Sequence, residues 1–376
     1  MLYLHNVLFC RSIFAVRHRA ADMKVPKEDG EMKLFHASVE GAQHGAKGLD
    51  GFLSFAKKAG AAGCQPTNFM LEDGKGGFHS ADEIKQMFAE REMKLDGVSA
   101  HCPFWVHTTA WTGSKTVRPF LPANMANEAP EAIEAWAEDY ILRLLDHCAE
   151  LGVRVVPMFW GVAFGWEVAT GYPWGFWKGA DYDLIAEGDQ RFVDKTSNIR
   201  DKASQLGIVL AHEVHPGTAA MCVNDFVHLV EICDGDDVLG VNADPSHCWE
   251  GESWVDRFAL LAARIYGVHM KNYTRRTGLP LRCMEPDWKG RPMQFTALDR
   301  GDIDLVRYTE LMINAGYRGR YLELMGADTA PLVVEAEGAF EDLDAISARG
   351  IQFVRDNCCF EVAGESFEKG MGAEKA

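Results

Sequence analysis

The chain has 376 residues, a formal net charge of -17 and 47% hydrophobic residues, which is enough apolar material for one large α/β domain or two medium ones. An acidic balance with no basic stripe argues against nucleic-acid binding, which draws on Lys and Arg to neutralise phosphates. No apolar run approaches the ~20 residues that a spanning helix needs. Ten scattered cysteines with no CxxC pair read as buried thiols in a reducing, cytoplasmic compartment, not as a disulfide framework or a zinc-thiolate site.

Residues 1–31 stand apart. Met1 to Ala21 carries Arg11, Arg17 and Arg19 and no acid before Asp22, which fits an organellar transit peptide or a start at Met23 or Met32. This extension is set aside from the fold argument.

From Met32 onward short β-rich runs alternate with amphipathic stretches, the signature of βα units around a parallel sheet. Lys33–Val39 is the first expected strand, followed by a helix near Leu49–Ala62 in which Leu49, Phe52, Phe55 and Ala56 recur at helical spacing. After a second strand, Cys64–Leu71, Ser80 stands at an N-cap with Glu83 three residues on, a capping box that opens the next helix. Leu95–Phe104 is the third strand, Ala129–Leu151 a long helix, and the β-branched and aromatic run Val153–Trp160 the fourth strand.

An aromatic insertion (Trp166, Tyr172, Trp174, Phe176, Trp177) then leads to a helix at Gln190–Leu206 and a strand at Ile208–Val214. Helix Cys222–Cys233 feeds strand Leu239–Ala243, helix Trp254–Arg264 feeds Ile265–Met270, and helix Ile303–Ala315 feeds an expected eighth strand, Arg320–Leu324. A helix at Phe340–Asn357 closes the series, leaving 358–376 as a tail. Eight units predict a single (β/α)8 TIM barrel over 32–357. The open-sheet alternative wants a GxGxxG loop after the first strand, where this chain has SVEGAQHGAKG.

A barrel of this kind carries its active site where the strands end. Strand five ends in His212-Glu213-Val214-His215, strand six in Asp244-Pro245-Ser246-His247, strand seven in His269-Met270-Lys271-Asn272 and strand eight in Glu323. Acids placed directly after apolar runs are costly to bury without a partner. Glu213, Asp244, His269 and Glu323 therefore read as the ligands of one divalent cation. An oxygen-rich set of this kind suits Mn2+, Mg2+ or Co2+, with Zn2+ also admitted. By position, His36 and His101 are expected at the same rim, and Trp105, Trp160 and Trp249 as aromatic walls for a sugar face.

The motifs EVHPG, NADPSHCWEG, GVHMKN and YLEL resemble the sugar phosphate isomerase/epimerase family, the xylose-isomerase-like barrel group, from about Met32 to Asn357. The resemblance implies that the same four residues bind the metal and that His247 binds a substrate oxygen. It also implies that Glu213 and Glu323 double as proton carriers on opposite faces of a ketose, and that Arg275 and Lys271 lie with the substrate. The chain departs from the ketose 3-epimerase pattern at Ala219, where a second glutamate is expected; His215 is the nearest substitute. Relatives that are endonucleases use a three-zinc site and a basic groove, which the net charge disfavours.

The expectation is thus a metal-dependent isomerase or epimerase of a keto sugar or sugar phosphate, working through a metal-stabilised enediolate. The alternatives are a keto-sugar dehydratase or lyase, of the inosose-dehydratase or 3-keto-glycoside-cleaving kind, and a barrel without catalysis. The partner is a small carbohydrate, with neither nucleic acid nor membrane, and a homo-oligomer stays open.

Overall fold

The alternating pattern folds into eight parallel strands wrapped around one apolar core, seen here in a computed structural model that describes residues 33–161, 184–249, 251–276, 290–338 and 340–361. The N-terminal extension, most of the aromatic insertion and the residues past 361 lie outside the described residues. In chain order the strands are β1 (Phe35–Glu40), β2 (Gly63–Gln65), β3 (Lys94–Leu95), β4 (Val155–Met158), β5 (Val209–Glu213), β6 (Leu239–Ala243) and β7 (Ile265–Met270). An antiparallel hairpin, β8 (Asn272–Arg275) and β9 (Met293–Thr296), follows, and β10 (Ala330–Val334) completes the sheet in the order β3-β2-β1-β10-β7-β6-β5-β4. The seam between the outer strands is joined by a hydrogen bond from Ala100 N to Pro157 O at 2.8 Å.

The helices are α1 (Gly48–Ala59), α2 (Ala81–Ala89), α3 (His101–Ala110), α4 (Pro130–Leu151), α5 (Leu184–Leu206), α6 (Val223–Ile232), α7 (Trp254–Leu260), α8 (Leu305–Asn314), α9 (Tyr317–Met325) and α10 (Leu343–Asn357). The Ser80–Glu83 capping box is formed at the start of α2, both halves of it hydrogen-bonded. Helix α4 begins with Pro130, whose missing N–H costs nothing in a first turn, and stops at the left-handed Gly152 (φ 83°). Its Ile141, Leu144 and Leu145 are fully buried, each contributing about 1.5–3 kcal/mol by removal from water. Lys33 pairs with Glu361, and Cys358 and Cys359 pack into the core, so the folded unit reaches four residues past the expected end at Asn357.

Three expected strands are corrected. The second is strand only over Gly63–Gln65, and its expected end, Asn68–Leu71, is a 3-10 helix. The third is paired as strand only at Lys94–Leu95, with an isolated bridge from Ser99 to Thr67, and the expected strand residues from His101 onward form α3. The eighth is not Arg320–Leu324, which lies in α9, but Ala330–Val334. Tyr317 and Tyr321 recur at helical spacing, both buried, between the left-handed Gly316 and Gly326. Helix α9 lies across the N-terminal end of the barrel. Tyr317 Oη donates to Pro331 O, Arg320 Nε to Ile265 O and Arg318 Nε to Leu34 O, all at strand starts. Among the described residues no helix is long and apolar enough to cross a membrane.

Candidate metal centre

At the opposite end the strands deliver their last residues to one point. Glu213 closes β5, Asp244 follows β6, His269 is the penultimate residue of β7 and Glu335 follows β10. All four are buried, and one potential ligand atom from each lies within 4.8 Å of those of the others. The sequence reading reached three of them. Glu323, its fourth, is exposed on α9 at the other end of the barrel. Glu335 takes its place because the apolar run Ala330–Val334 is the true last strand, and an acid after PLVV was the signal available.

Each side chain is held by a specific contact. Glu213 Oε2 accepts from Asn242 Nδ2 at 2.9 Å and lies 3.3 Å from His269 Nδ1 and 3.4 Å from His101 Nε2. Its other oxygen, Oε1, lies 2.9 Å from His247 Nε2. Asp244 Oδ1 accepts from Ser246 N at 2.7 Å, while the buried Oδ2 has no hydrogen-bond partner. Glu335 Oε1 accepts from Lys271 Nζ at 2.7 Å, and Oε2 lies 2.7 Å from His269 Nδ1. His269 donates from both ring nitrogens, Nε2 to Gln65 Oε1 at 2.8 Å, at the end of β2, and Nδ1 to Glu335 Oε2, where a bound cation would replace the Nδ1 proton.

The electrostatics follow from this crowding. Burial alone would raise the Glu213 carboxyl, but bonds from His101, His247 and His269 hold it well below the usual range. Burial opposes ionisation of Glu335 as well, yet the Lys271 charge and the His269 bond keep it lowered. Burial pulls His269 down and its bonds to Glu213 and Glu335 overcome that, holding it well above the ordinary imidazole range. His247, opposed by burial and favoured by Asp244, is pushed up to about 9. Positive charge is therefore demanded at the point where three carboxylates and one imidazole meet. Protons on the histidines meet that demand here, and a divalent cation on the same donors would meet it more fully. The donor set fits such an ion, being rich in oxygen with one imidazole whose other nitrogen is anchored.

Around this centre the structure sorts the remaining expected residues. His101, His247 and Lys271 border it, and His215 stands beside His247 with ring centroids 3.9 Å apart. Trp105, on α3, reaches the loop after β5 through its indole N–H and Gly217 O at 3.4 Å, and Trp249 is half-buried just after the turn that carries His247. His36 is not at this rim. It is the second residue of β1, four before the strand end, and its ring binds Asp96 (3.0 Å) and Thr329 (2.8 Å), the latter just before β10 begins. Trp160 is packed in the core between Phe104 and Phe192, not on a pocket wall. Arg275 is exposed on the hairpin, where its backbone N–H binds Asp302.

Several contributors escaped the sequence reading. Glu40 ends β1 with Oε1 accepting from Ser99 Oγ at 2.6 Å, and burial pushes its carboxyl up. Phe159 lies 4.8 Å from His101 and 5.2 Å from His215, centroid to centroid, and is the inward neighbour of Trp160. Phe295, on β9, sits over Lys271 Nζ at 4.5 Å and edge-on to His247 at 6.0 Å, so the hairpin brings an aromatic ring to the site. Ala219 is buried with its N–H on Trp160 O, so no carboxylate stands there.

The sequence profile of xylose isomerase-like TIM barrels matches residues 53–353. No curated protein matches the chain in sequence. Solved structures share the fold at low identity. A xylose isomerase-like TIM barrel protein from Mycobacterium smegmatis in complex with magnesium is 15% identical over 86% of this chain and 97% of its own, with a TM-score of 0.55. The 3-keto-D-glucoside 4-epimerase of E. coli is 13% identical over 86% of this chain and 99% of its own, with a TM-score of 0.55. The probable 3-DHS dehydratase AsbF of Bacillus anthracis is 14% identical over 85% of this chain and 99% of its own, with a TM-score of 0.55.

Proposed function

This chain belongs to the xylose isomerase-like TIM barrel family, and from that premise we propose that it is a divalent-metal-dependent enzyme that isomerises or epimerises a keto sugar or sugar phosphate by moving a proton beside the carbonyl. The observation that carries this reading is the buried set Glu213, Asp244, His269 and Glu335, whose ligand atoms lie within 4.8 Å of one another. Bound there, a cation such as Mn2+, Mg2+ or Co2+ would polarise a carbonyl and a neighbouring hydroxyl together. The magnesium held by the Mycobacterium smegmatis protein and the epimerase activity of the E. coli protein support the reading by analogy of fold.

The protein's own groups have distinct tasks. Glu213 and Glu335 flank His269 Nδ1 and are kept ionised by their partners, so either can accept a proton from a substrate carbon and return it. Lys271 keeps its charge despite burial because Glu335 and Glu337 face it, and it fixes the orientation of Glu335. His101, His247 and His215 offer ring nitrogens to sugar hydroxyls, while Phe159, Trp105 and Phe295 supply apolar faces that suit a pyranose or open-chain backbone.

One observation favours a second reading. Without an acid at position 219, the carbanion chemistry of the same centre could end in loss of water or of an aglycone, as in a dehydratase or lyase. Incubation of candidate ketoses and 3-keto glycosides with Mn2+ in D2O separates the two. Deuterium at carbon with no loss of water or aglycone supports the isomerase, and elimination supports the lyase. Absence of both from a metal-loaded protein, with Glu213→Gln and Glu335→Gln indistinguishable from the parent, sinks both.

A further inference from the structure

Glu40 faces the metal centre without belonging to it. It ends β1, is 1% exposed and lies outside the four-residue group. Its strand neighbours fix its direction. Glu40 is paired with Gln65 of β2, and residues paired across a parallel ladder project to the same face of the sheet. Gln65 reaches His269 from that face, so Glu40 is turned to the same mouth. On the other flank Val39 pairs with Val334, which sets Glu335 level with Glu40. Beyond burial, the charges that act on the Glu40 carboxyl are those of His269, His101 and Glu335.

That carboxyl is only half satisfied. Oε1 accepts from Ser99 Oγ at 2.6 Å and from Ala42 N at 3.3 Å, which anchors the side chain. Oε2 is buried with no hydrogen-bond partner. An oxygen held in that state is costly unless a ligand completes its bond. We infer that Glu40 Oε2 hydrogen-bonds a hydroxyl of the substrate beside its metal-bound oxygens, which makes Glu40 a residue that determines sugar specificity.

The chemistry of that oxygen defines what it accepts. A hydroxyl can donate to it as a carboxylate and accept from it as an acid. A keto oxygen or a phosphate ester dianion can only accept, and the dianion would also meet like charge from Glu335. Glu40 therefore selects a free hydroxyl at that carbon over a missing, oxidised or phosphorylated one. Removal of the hydroxyl leaves the buried oxygen unpaired again, the condition under which polar sites discriminate most strongly.

The inference rests on the enzyme proposed above, and the test keeps the two apart. D-Fructose, D-tagatose, D-allulose and methyl 3-keto-D-glucoside are titrated calorimetrically into Mn2+-loaded protein, followed by the monodeoxy forms of the tightest binder. One monodeoxy form should bind the parent roughly 10–100-fold more weakly than its full sugar. Glu40→Met, which keeps the volume and removes the bond, should bind the two equally. Glu40→Gln, which both donates and accepts, should keep part of the discrimination. Bound Mn2+, counted by mass spectrometry, should be the same in parent and variants. A parent that binds a sugar but tolerates every deoxygenation within about 3-fold overturns the Glu40 contact alone, and so does Glu40→Met keeping the parent's ratio. Loss of Mn2+ from Glu40→Met makes Glu40 a metal ligand and overturns it too. Affinity for none of these sugars overturns the proposed function together with the inference. Should Glu40→Met fail to fold by circular dichroism, Glu40→Ala serves in its place.

Discussion

At the scale of single residues, the acids and imidazole of the centre were legible because each closes an apolar run, where an unpaired charge is costly. Glu213, Asp244 and His269 were found on that ground. Glu323 met the same local test, since YLEL reads as a strand ending in an acid, and only the burial of Tyr317 and Tyr321 on one helical face shows that it is a helix. Glu40 and Gln65 carry no motif; they belong to the site through partners far away in sequence, Ser99 and His269.

A residue outside the site makes the same point about burial. His107 is 1% exposed inside α3, with both ring nitrogens unpartnered, and burial, aided by the Lys195 charge, pushes it down to about 4. The unfolded chain, with its imidazole near the ordinary value of about 6.5, therefore binds the proton first as pH falls. Stability is undiminished above about pH 6.5, and roughly 2 kcal/mol is lost on this account by pH 5. His107→Leu removes that loss and the unpartnered ring nitrogens. Its urea midpoint should gain on the parent's between pH 7.5 and pH 5, and a gap that does not change with pH would refute the argument.

At the scale of elements, boundaries were legible where chemistry is local. The Ser80–Glu83 box and Pro130 announce their helices. The hairpin from β8 to β9 has no such local mark, because what gives it a role is the seating of Phe295 against Lys271 and His247. Contacts between strands were equally hidden. Gly267, in β7, faces Asn242 of β6, and a Cβ there would run into the Asn242 amide that supports Glu213. Gly267→Ala should displace that amide, weaken Mn2+ or Co2+ binding roughly 10–100-fold and cost about 1–3 kcal/mol. Gly319, inside α9 with open space around it, is the contrast: Gly319→Ala should leave metal affinity unchanged and raise stability by about 0.5–1 kcal/mol. Calorimetric metal titration and thermal melts of the pair decide it; equal metal affinity in the two variants would mean that Asn242 does not position Glu213.

For the molecule as a whole, the barrel was legible from the alternation alone, since eight βα units have few other ways to bury their strands. The end at which the site forms follows from strand direction, which is why one wrong strand sent Glu323 to the far end while leaving the centre's location intact. The same geometry would couple the fold to a cation held at the cluster. Strands β5, β6, β7 and β10 each end on the cluster, so the ion would tie half the barrel together, and its loss leaves three buried carboxylates facing one another. An ion at about 100 times its dissociation constant stabilises the folded state by roughly 2.7 kcal/mol. For a domain spanning Lys33–Glu361 that corresponds to about 4 °C in melting temperature. Chelation of the purified protein with EDTA should lower the melting temperature by that amount, and Mn2+ in excess should restore it. In Glu335→Ala the shift between the two conditions should shrink to below about 2 °C, because the remaining ligands no longer close around the ion. Identical melting of the parent with EDTA and with Mn2+ would show that no cation links these four strands.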